Sequence, residues 1–305
     1  MATNCVPAAA AADVCANCGR EGGDGTKLKS CMACLLVKYC CVDCQKAHRK
    51  QHKRACKKRV AELKDEQLYS RGHERPEGDF CPICTLAIPL PVVRHSGIMV
   101  CCMKSICDGC SAAAGKAGVS HHCLFCRAPF PDSDAARLAA LQKRVAKKDP
   151  TATHFLGINY LHGRMEVQKD LRKAVELTEE AAELGSVEAL FNLGHWYAER
   201  VGVEVDVTKG IKFLNKAAMQ GDAEGRHLLG MHEFEKCNYD RALRHLMISA
   251  KLGHELSVEA IKILFKNRLA TKKQYTEALR GYQDAEEDMK SHDRDLAKKI
   301  KSERL

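Results

Sequence analysis

Cysteine is spread so unevenly along this chain that it divides the sequence into two kinds of protein. Of eighteen cysteines in 305 residues, seventeen lie before residue 127 and only Cys237 lies beyond it. So dense a set serves either as a disulfide framework in an exported protein or as metal-ligating thiolates in a reducing compartment. The first use requires an export signal. The opening stretch MATNCVPAAAAADVC carries no basic n-region, and its alanine run is too short and too weakly apolar for a signal core. No uninterrupted apolar run approaches the roughly 18 to 20 residues that span a bilayer. The expectation is an intracellular, soluble protein with reduced thiols and no membrane partner; the sequence does not distinguish cytoplasm from nucleus.

The first cysteine block pairs Cys15 with Cys18, Cys31 with Cys34, Cys40 with Cys44, and His52 with Cys56. Eight ligands make two tetrahedral sites. Thiolates and neutral imidazole suit Zn²⁺, and a two-residue gap lets a tight turn bring both sulfurs to one ion. Residues four apart, such as His52 and Cys56, share a helix face. The run Tyr39, Cys40, Cys44, Gln45, His52, Lys53, Cys56, preceded by two C-x2-C pairs, resembles the MYND zinc finger over residues 15–56. That resemblance implies interleaved sites, with Cys15, Cys18, Cys40 and Cys44 on one zinc and Cys31, Cys34, His52 and Cys56 on the other. Arg49 stands where the family usually carries tryptophan, which weakens the aromatic platform some members use for proline-rich peptides.

His48 sits four residues from both Cys44 and His52, but the family pattern gives the ligand role to His52 and leaves His48 at the surface. Cys5 and Cys41 read as ordinary thiols. The formal charge of +10 is concentrated between Lys46 and Arg59, where there are eight basic residues and no acidic one. Such a run is usually a solvated helix face. No interleaved aromatics support base stacking, so nucleic acid is not an expected partner.

A second series follows a polar connector around YSRGHERPEGD. It comprises Cys81 and Cys84, the adjacent Cys101 and Cys102, Cys107 and Cys110, and Cys123 and Cys126. The order of pairs resembles a RING finger over residues 81–126, with Cys81, Cys84, Cys107 and Cys110 on one zinc and Cys101, Cys102, Cys123 and Cys126 on the other. His95, His121 and His122 are alternative donors in place of one of the adjacent cysteines. A closed sulfur site leaves zinc no open position and cannot activate water, so no catalytic residue is expected. In RING ubiquitin ligases such a module holds a ubiquitin-conjugating enzyme and acts by positioning. The resemblance implies partner contacts at Ile83, between the first ligand pair, and at Arg127, after the last ligand; Pro129 also fits. Leu124 replaces a common proline, and no tryptophan lies between Cys110 and Cys123. A zinc-stapled scaffold without ligase activity is the competing reading.

Beyond residue 130 the text becomes helical. Ser133 caps a helix whose face is Leu138, Leu141 and Val145, and Pro150 stops it. Gly157, Gly194 and Gly230 then recur after leucine at near-equal intervals, and Gly185, Gly221 and Gly253 close the units. A period of this size with two helices per unit predicts an α-solenoid. The pattern resembles Sel-one-like repeats, a tetratricopeptide branch, over 151–253, with a degenerate capping unit to about residue 290. The resemblance implies a concave face for peptides or proteins, to which His195 and Trp196 are candidates, although a lone tryptophan is more often packing. The remaining histidines of this half lack metal-ligand spacing.

The expected architecture is therefore multidomain: two small cross-braced zinc fingers followed by an all-α helical-repeat solenoid. Its divisions are a disordered N-terminus (1–14), the MYND-type finger (15–56), a basic helix and linker (57–79), the RING-like finger (80–130), a connecting helix (131–150), repeats (151–290) and a charged tail (291–305). The expected function is a zinc-binding protein-interaction scaffold holding four structural zinc ions, with a RING-type ubiquitin ligase as the alternative. A methyltransferase, in which MYND fingers sometimes sit, fits poorly because no methyl-donor site follows residue 130.

Overall fold

The computed structural model describes residues 13–23, 25–119, 121–199 and 201–303. The expected disordered N-terminus and Cys5 lie almost wholly outside the described residues. The chain forms two compact units, one up to Ser70 and one from Arg71.

In the first unit a two-residue antiparallel ladder, β1 (Lys29–Ser30) with β2 (Lys38–Tyr39), leads directly into the long helix α1 (Val42–Ser70). The basic stretch expected as a separate segment from residue 57 is thus the continuation of a helix that begins inside the finger. Its core is small: Cys15, Cys31, Cys34 and Tyr39 are buried, with Leu28, Val37 and Val60 packed around them. So little apolar area cannot repay the entropy of ordering the chain without further crosslinks.

The second unit opens with an extended segment, then the hairpin β3 (Ser96–Met99) and β4 (Lys104–Cys107) and helix α2 (Asp108–Lys116). Helix α3 (Asp134–Val145) follows, with the Ser133 hydroxyl accepting from Ala136 N at 3.2 Å as its sequence cap predicts. Pro150 does not merely end that helix. It occupies the first turn of the next, where its missing N–H is not required.

Eight helices then pair: α4 (Pro150–His162) with α5 (Leu171–Glu183), α6 (Val187–Glu199) with α7 (Val207–Met219), α8 (Ala223–Glu235) with α9 (Tyr239–Lys251), and α10 (Glu255–Lys266) with α11 (Lys272–Asp288). At Gly157, Gly194 and Gly230 a β-carbon would press on Thr178, Leu214 and Leu246 of the partner helix, so the small residues set how closely each pair packs. Gly185, Gly221 and Gly253 each take positive φ and end a repeat. Trp196 is buried among Val175, Leu193 and Tyr197, so it is packing and not an exposed face. His195 is half-exposed and faces Glu199 at 3.2 Å.

One expectation is corrected. Residues 291–305 were expected as a charged tail, but His292–Ser302 is helix α12, capped by Ser291, with Arg294 and Ala297 buried. Its charges do not fray it because Arg294 has buried acceptors, described below.

The segment before the second finger is inlaid in the repeats. Arg226, fully buried on α8, donates to the carbonyl of Arg71. Arg75 donates to Asp79 at 2.9 Å and to the carbonyl of Ile88 at 2.6 Å. At Gly72 a β-carbon would collide with the Ala218 carbonyl, and at Gly221 with the Glu74 carbonyl. Both glycines also sit at positive φ, so neither tolerates a side chain. Gly221→Ala is expected to destabilise the second unit by about 2–4 kcal/mol, through strain plus displacement of the inlaid segment, as read from denaturant midpoints. A loss below about 1 kcal/mol would mean that the segment is loosely held.

Three buried imidazoles give the helical half a pH signature. Burial holds His154 down to about 4, His254 to about 4 with help from His227, and His245 to about 3. Each is neutral in the fold, His154 beside Asn192 at 2.9 Å and His254 beside Ser257 at 3.1 Å. Above about pH 6.5 neither the folded nor the unfolded chain protonates them, and no stability changes hands. Below it the unfolded chain takes up protons first, so stability falls as pH drops toward 4, by about 1.4 kcal/mol per pH unit per group. His154→Gln should therefore lose less than the parent over that interval in thermal unfolding followed by helix signal. Equal losses in parent and variant would assign the acid sensitivity elsewhere.

Candidate metal centres

Four of the C-x2-C pairs fold into the same turn, while Cys107 and Cys110 open helix α2. After the pairs Cys15/Cys18, Cys31/Cys34, Cys81/Cys84 and Cys123/Cys126, the next residue (Gly19, Leu35, Thr85 or Arg127) adopts positive φ between 58° and 72°. In each turn that residue's N–H donates to the carbonyl of the first cysteine at 2.8–2.9 Å. The first cysteine's own N–H is taken by Arg20, Val37, Leu86 or Ala128. Only Gly19 signals this conformation in sequence. For the other three, strain in a non-glycine residue is tolerated because the turn points two sulfurs at one place.

The turn also prepares the first sulfur to be a thiolate. Cys15 is drawn down to about 6, chiefly by the amide of Cys18. Burial pushes Cys31, Cys81 and Cys123 up, but backbone amides outweigh it and bring them to about 6, 7 and 7; these are turn amides, preceded at Cys81 by the amide of Cys107. Burial raises Cys56, on helix α1, to about 11, with the neighbouring Cys34 and Cys31 thiols adding to it.

The turns converge on the remaining ligands in four sets: Cys15, Cys18, Cys40, Cys44; Cys31, Cys34, His52, Cys56; Cys81, Cys84, Cys107, Cys110; and Cys101, Cys102, Cys123, Cys126. Within each set every ligand atom lies within 4.8 Å of the others. Representative separations are 3.6 Å for Cys18 and Cys40, 4.0 Å for Cys31 and Cys56, 3.8 Å for Cys84 and Cys107, and 3.6 Å for Cys102 and Cys123. Zn–S bonds of about 2.3 Å at tetrahedral angles place sulfurs about 3.8 Å apart, so the donor sets fit zinc. All seventeen cysteines among the described residues are free thiols.

Helix α1 supplies Cys44, His52 and Cys56 because positions 44, 52 and 56 return to one side of a 3.6-residue helix. His48 is not among the ligands. Its ring stacks on His52 with centroids 5.8 Å apart, and Tyr39 Oη lies 3.1 Å from its Nδ1, so it braces the His52 ring of that donor set. In the second region Cys101 and Cys102 both join one set, and His95, His121 and His122 join none. Adjacent residues can reach one ion because the β3–β4 connection is a tight turn, with Met103 N donating to Met99 O at 2.7 Å and Met103 at positive φ.

Sequence reasoning missed Arg294. From α12 its guanidinium donates to the carbonyls of Ala87 at 2.5 Å, Met289 at 2.7 Å and Leu86 at 3.1 Å, and reaches Cys84 Sγ at 3.4 Å. Lys301 on the same helix pairs with Asp108 at 2.6 Å. Gly109 leaves no room for a side chain against the Arg294 backbone. A cation 210 residues away thus completes the outer shell of a knuckle, a role no local motif could announce. Ile83 is 46 % exposed, and Arg127 is exposed.

Comparison with known proteins agrees with two parts of the chain. The MYND finger family matches residues 15–56, and the Sel1 repeat family matches 150–186 and 187–222. The chain thus carries a MYND finger and two Sel1 repeats. No curated protein matches it. Among solved structures it is similar to a Sel1 repeat protein from Oxalobacter formigenes (22% identity, TM-score 0.46, covering 59% of this chain and 71% of that one). It is also similar to a protective antigen of uropathogenic Escherichia coli displaying an SLR fold (22%, 0.46), where the match covers 59% of this chain and 37% of that one. A third is an immunity protein, Pa5087, from Pseudomonas aeruginosa (18%, 0.31, covering 59% and 82%).

Arg294→Met should keep the α12 stem but remove the charge and its carbonyl bonds. One zinc per chain is expected to be surrendered to a chelator at least about tenfold faster, because loss of an outer-shell partner typically costs ten- to hundredfold in metal affinity. The other three should be unchanged, and Arg294→Lys should rescue only in part because it cannot fork across several carbonyls. Uniform release from all sites, or none, would contradict the assignment.

Proposed function

We propose that the chain is a protein-interaction adaptor whose cysteine-rich half is shaped by structural zinc and whose helical half presents repeat surfaces. The MYND finger and the Sel1 repeats support an interaction scaffold at the coarse level. The observation that carries the finer reading is the closure of every donor set: four ligands converge in each, leaving no position for a water or substrate. Such sites shape surfaces and do no Lewis-acid chemistry. The residues proposed as ligands are the sixteen named above, and the second finger, over about residues 80–130, is read as RING-like because its outer knuckles repeat the turn geometry of the MYND finger.

A second reading, a ubiquitin ligase, is favoured by Ile83 and Arg127, both open to a partner. Leu124 weighs against it: it is half-buried against the finger's own core, where active modules commonly present proline. Helix α12 holds the finger at the Leu86 and Ala87 carbonyls and so fastens it to the repeat half, as suits a fixed scaffold.

The deciding experiment is ubiquitin chain formation by the fully metallated full-length chain with a panel of conjugating enzymes. The adaptor reading predicts no activity above background. Robust chain formation, lost in Ile83→Ala without loss of zinc, would replace the adaptor by the ligase.

A further inference from the structure

Helix α1 has a face that nothing in the first unit uses. Its ligands, Cys44, His52 and Cys56, look toward the metal positions. Val42, Lys46, Arg49, Lys50, Lys53 and Lys57 occupy the adjoining arc of the helix, with Arg49 next to Cys56 at its edge, and all six are exposed. The stripe is about 22 Å long at 1.5 Å per residue. Arg54 flanks it, also exposed. Among the described residues none of these cations forms an ion pair, whereas the acidic residues further along are taken up: Arg59 lies 3.2 Å from Glu62 and 2.7 Å from Glu66.

Charge alone would describe a solvated helix face. The neighbouring surface is the second observation. Val42, at the head of the stripe, is 63 % exposed; Met32 and Leu35, on the knuckle between β1 and β2, are 89 % and 63 % exposed. Cys31 and Cys34 of that knuckle share a donor set with His52 and Cys56, so the knuckle is held against the turn of α1 that runs from His52 to Cys56 and carries Lys53. Large apolar side chains held on a rigid, metal-braced turn next to unneutralised cations form an amphipathic docking surface.

We infer that this face binds an acidic segment of a partner protein that also carries leucine-like side chains, the carboxylates lying along the Lys46–Lys57 stripe and the apolar groups on Met32, Leu35 and Val42. The inference rests on the adaptor reading and names its partner class. Nucleic acid fits less well, since Tyr39 is buried and no aromatic on the face can stack on bases.

The test uses the full-length zinc-loaded chain and a labelled synthetic peptide of about twenty residues, rich in Glu and Leu and long enough to run the stripe. Controls are the same peptide with Ser for Leu, a DNA duplex, and vesicles of phosphatidylcholine with phosphatidylserine. Binding of the Glu/Leu peptide should exceed that of every control and weaken with salt. Reversing Lys46, Lys50, Lys53 and Lys57 to Glu should weaken it about tenfold or more, since each surface pair is worth a factor of roughly two to five. Met32→Ser with Leu35→Asn should cost about fivefold or more, asparagine being chosen because it accepts the positive φ at residue 35. Zinc content must be unchanged in both variants; if the reversal disturbs it, the four Lys→Gln substitutions replace it. Absence of peptide binding at low salt, indifference to these substitutions, or tighter binding of duplex or vesicles than of peptide would overturn the assignment. If the chain still captured other proteins through its repeats, the adaptor reading would survive that failure.

Discussion

Everything in the cysteine-rich half depends on a turn that aims two sulfurs and several amide N–H groups at a single point. A tetrahedral cation can then tie that turn to a distant pair of ligands, which is how a stretch with a two-residue ladder and a handful of buried side chains acquires a fixed shape. The same turn, with the same carbonyl-to-amide bond and the same positive φ, occurs at residues 15, 31, 81 and 123. Because the geometry repeats, the second cysteine region can be understood by the physics of the first without appeal to its less regular centre.

Around these points the chain supplies very different support. In the first unit the helix that carries Cys44, His52 and Cys56 continues far beyond them and carries an unneutralised face. In the second, support comes from far along the sequence: Arg294 reaches the knuckle at Cys84, and the segment from Arg71 to Asp79 is pressed into the repeat half by Gly72, Gly221 and Arg226. A buried arginine is costly unless its donors are satisfied, and the carbonyls around this one explain why a charge-rich terminus is ordered.

The legible parts of this molecule were those written in local spacing. Cysteine pairs, the i,i+4 ligands of α1, the leucine-glycine recurrence of the repeats and the Ser133 cap are all decided by residues close in sequence. What sequence could not convey was long-range. Nothing near His292 announces a helix whose buried arginine bonds carbonyls more than two hundred residues earlier, and nothing near Gly72 reveals the carbonyl of Ala218 against it. The positive φ at Leu35, Thr85 and Arg127 was hidden for a different reason: the turn that brings two sulfurs together overrides the preference of those side chains. Trp196 illustrates the reverse, a conspicuous residue with an ordinary packing role.

The central claim, that four closed sites of cysteine and a single histidine shape this protein, is tested most directly by joining elemental analysis to zinc X-ray absorption on the purified chain. The account predicts four zinc ions per chain, with a first shell of fifteen sulfurs and one nitrogen over the four sites together. Two zincs per chain, or a shell with oxygen ligands, would contradict it.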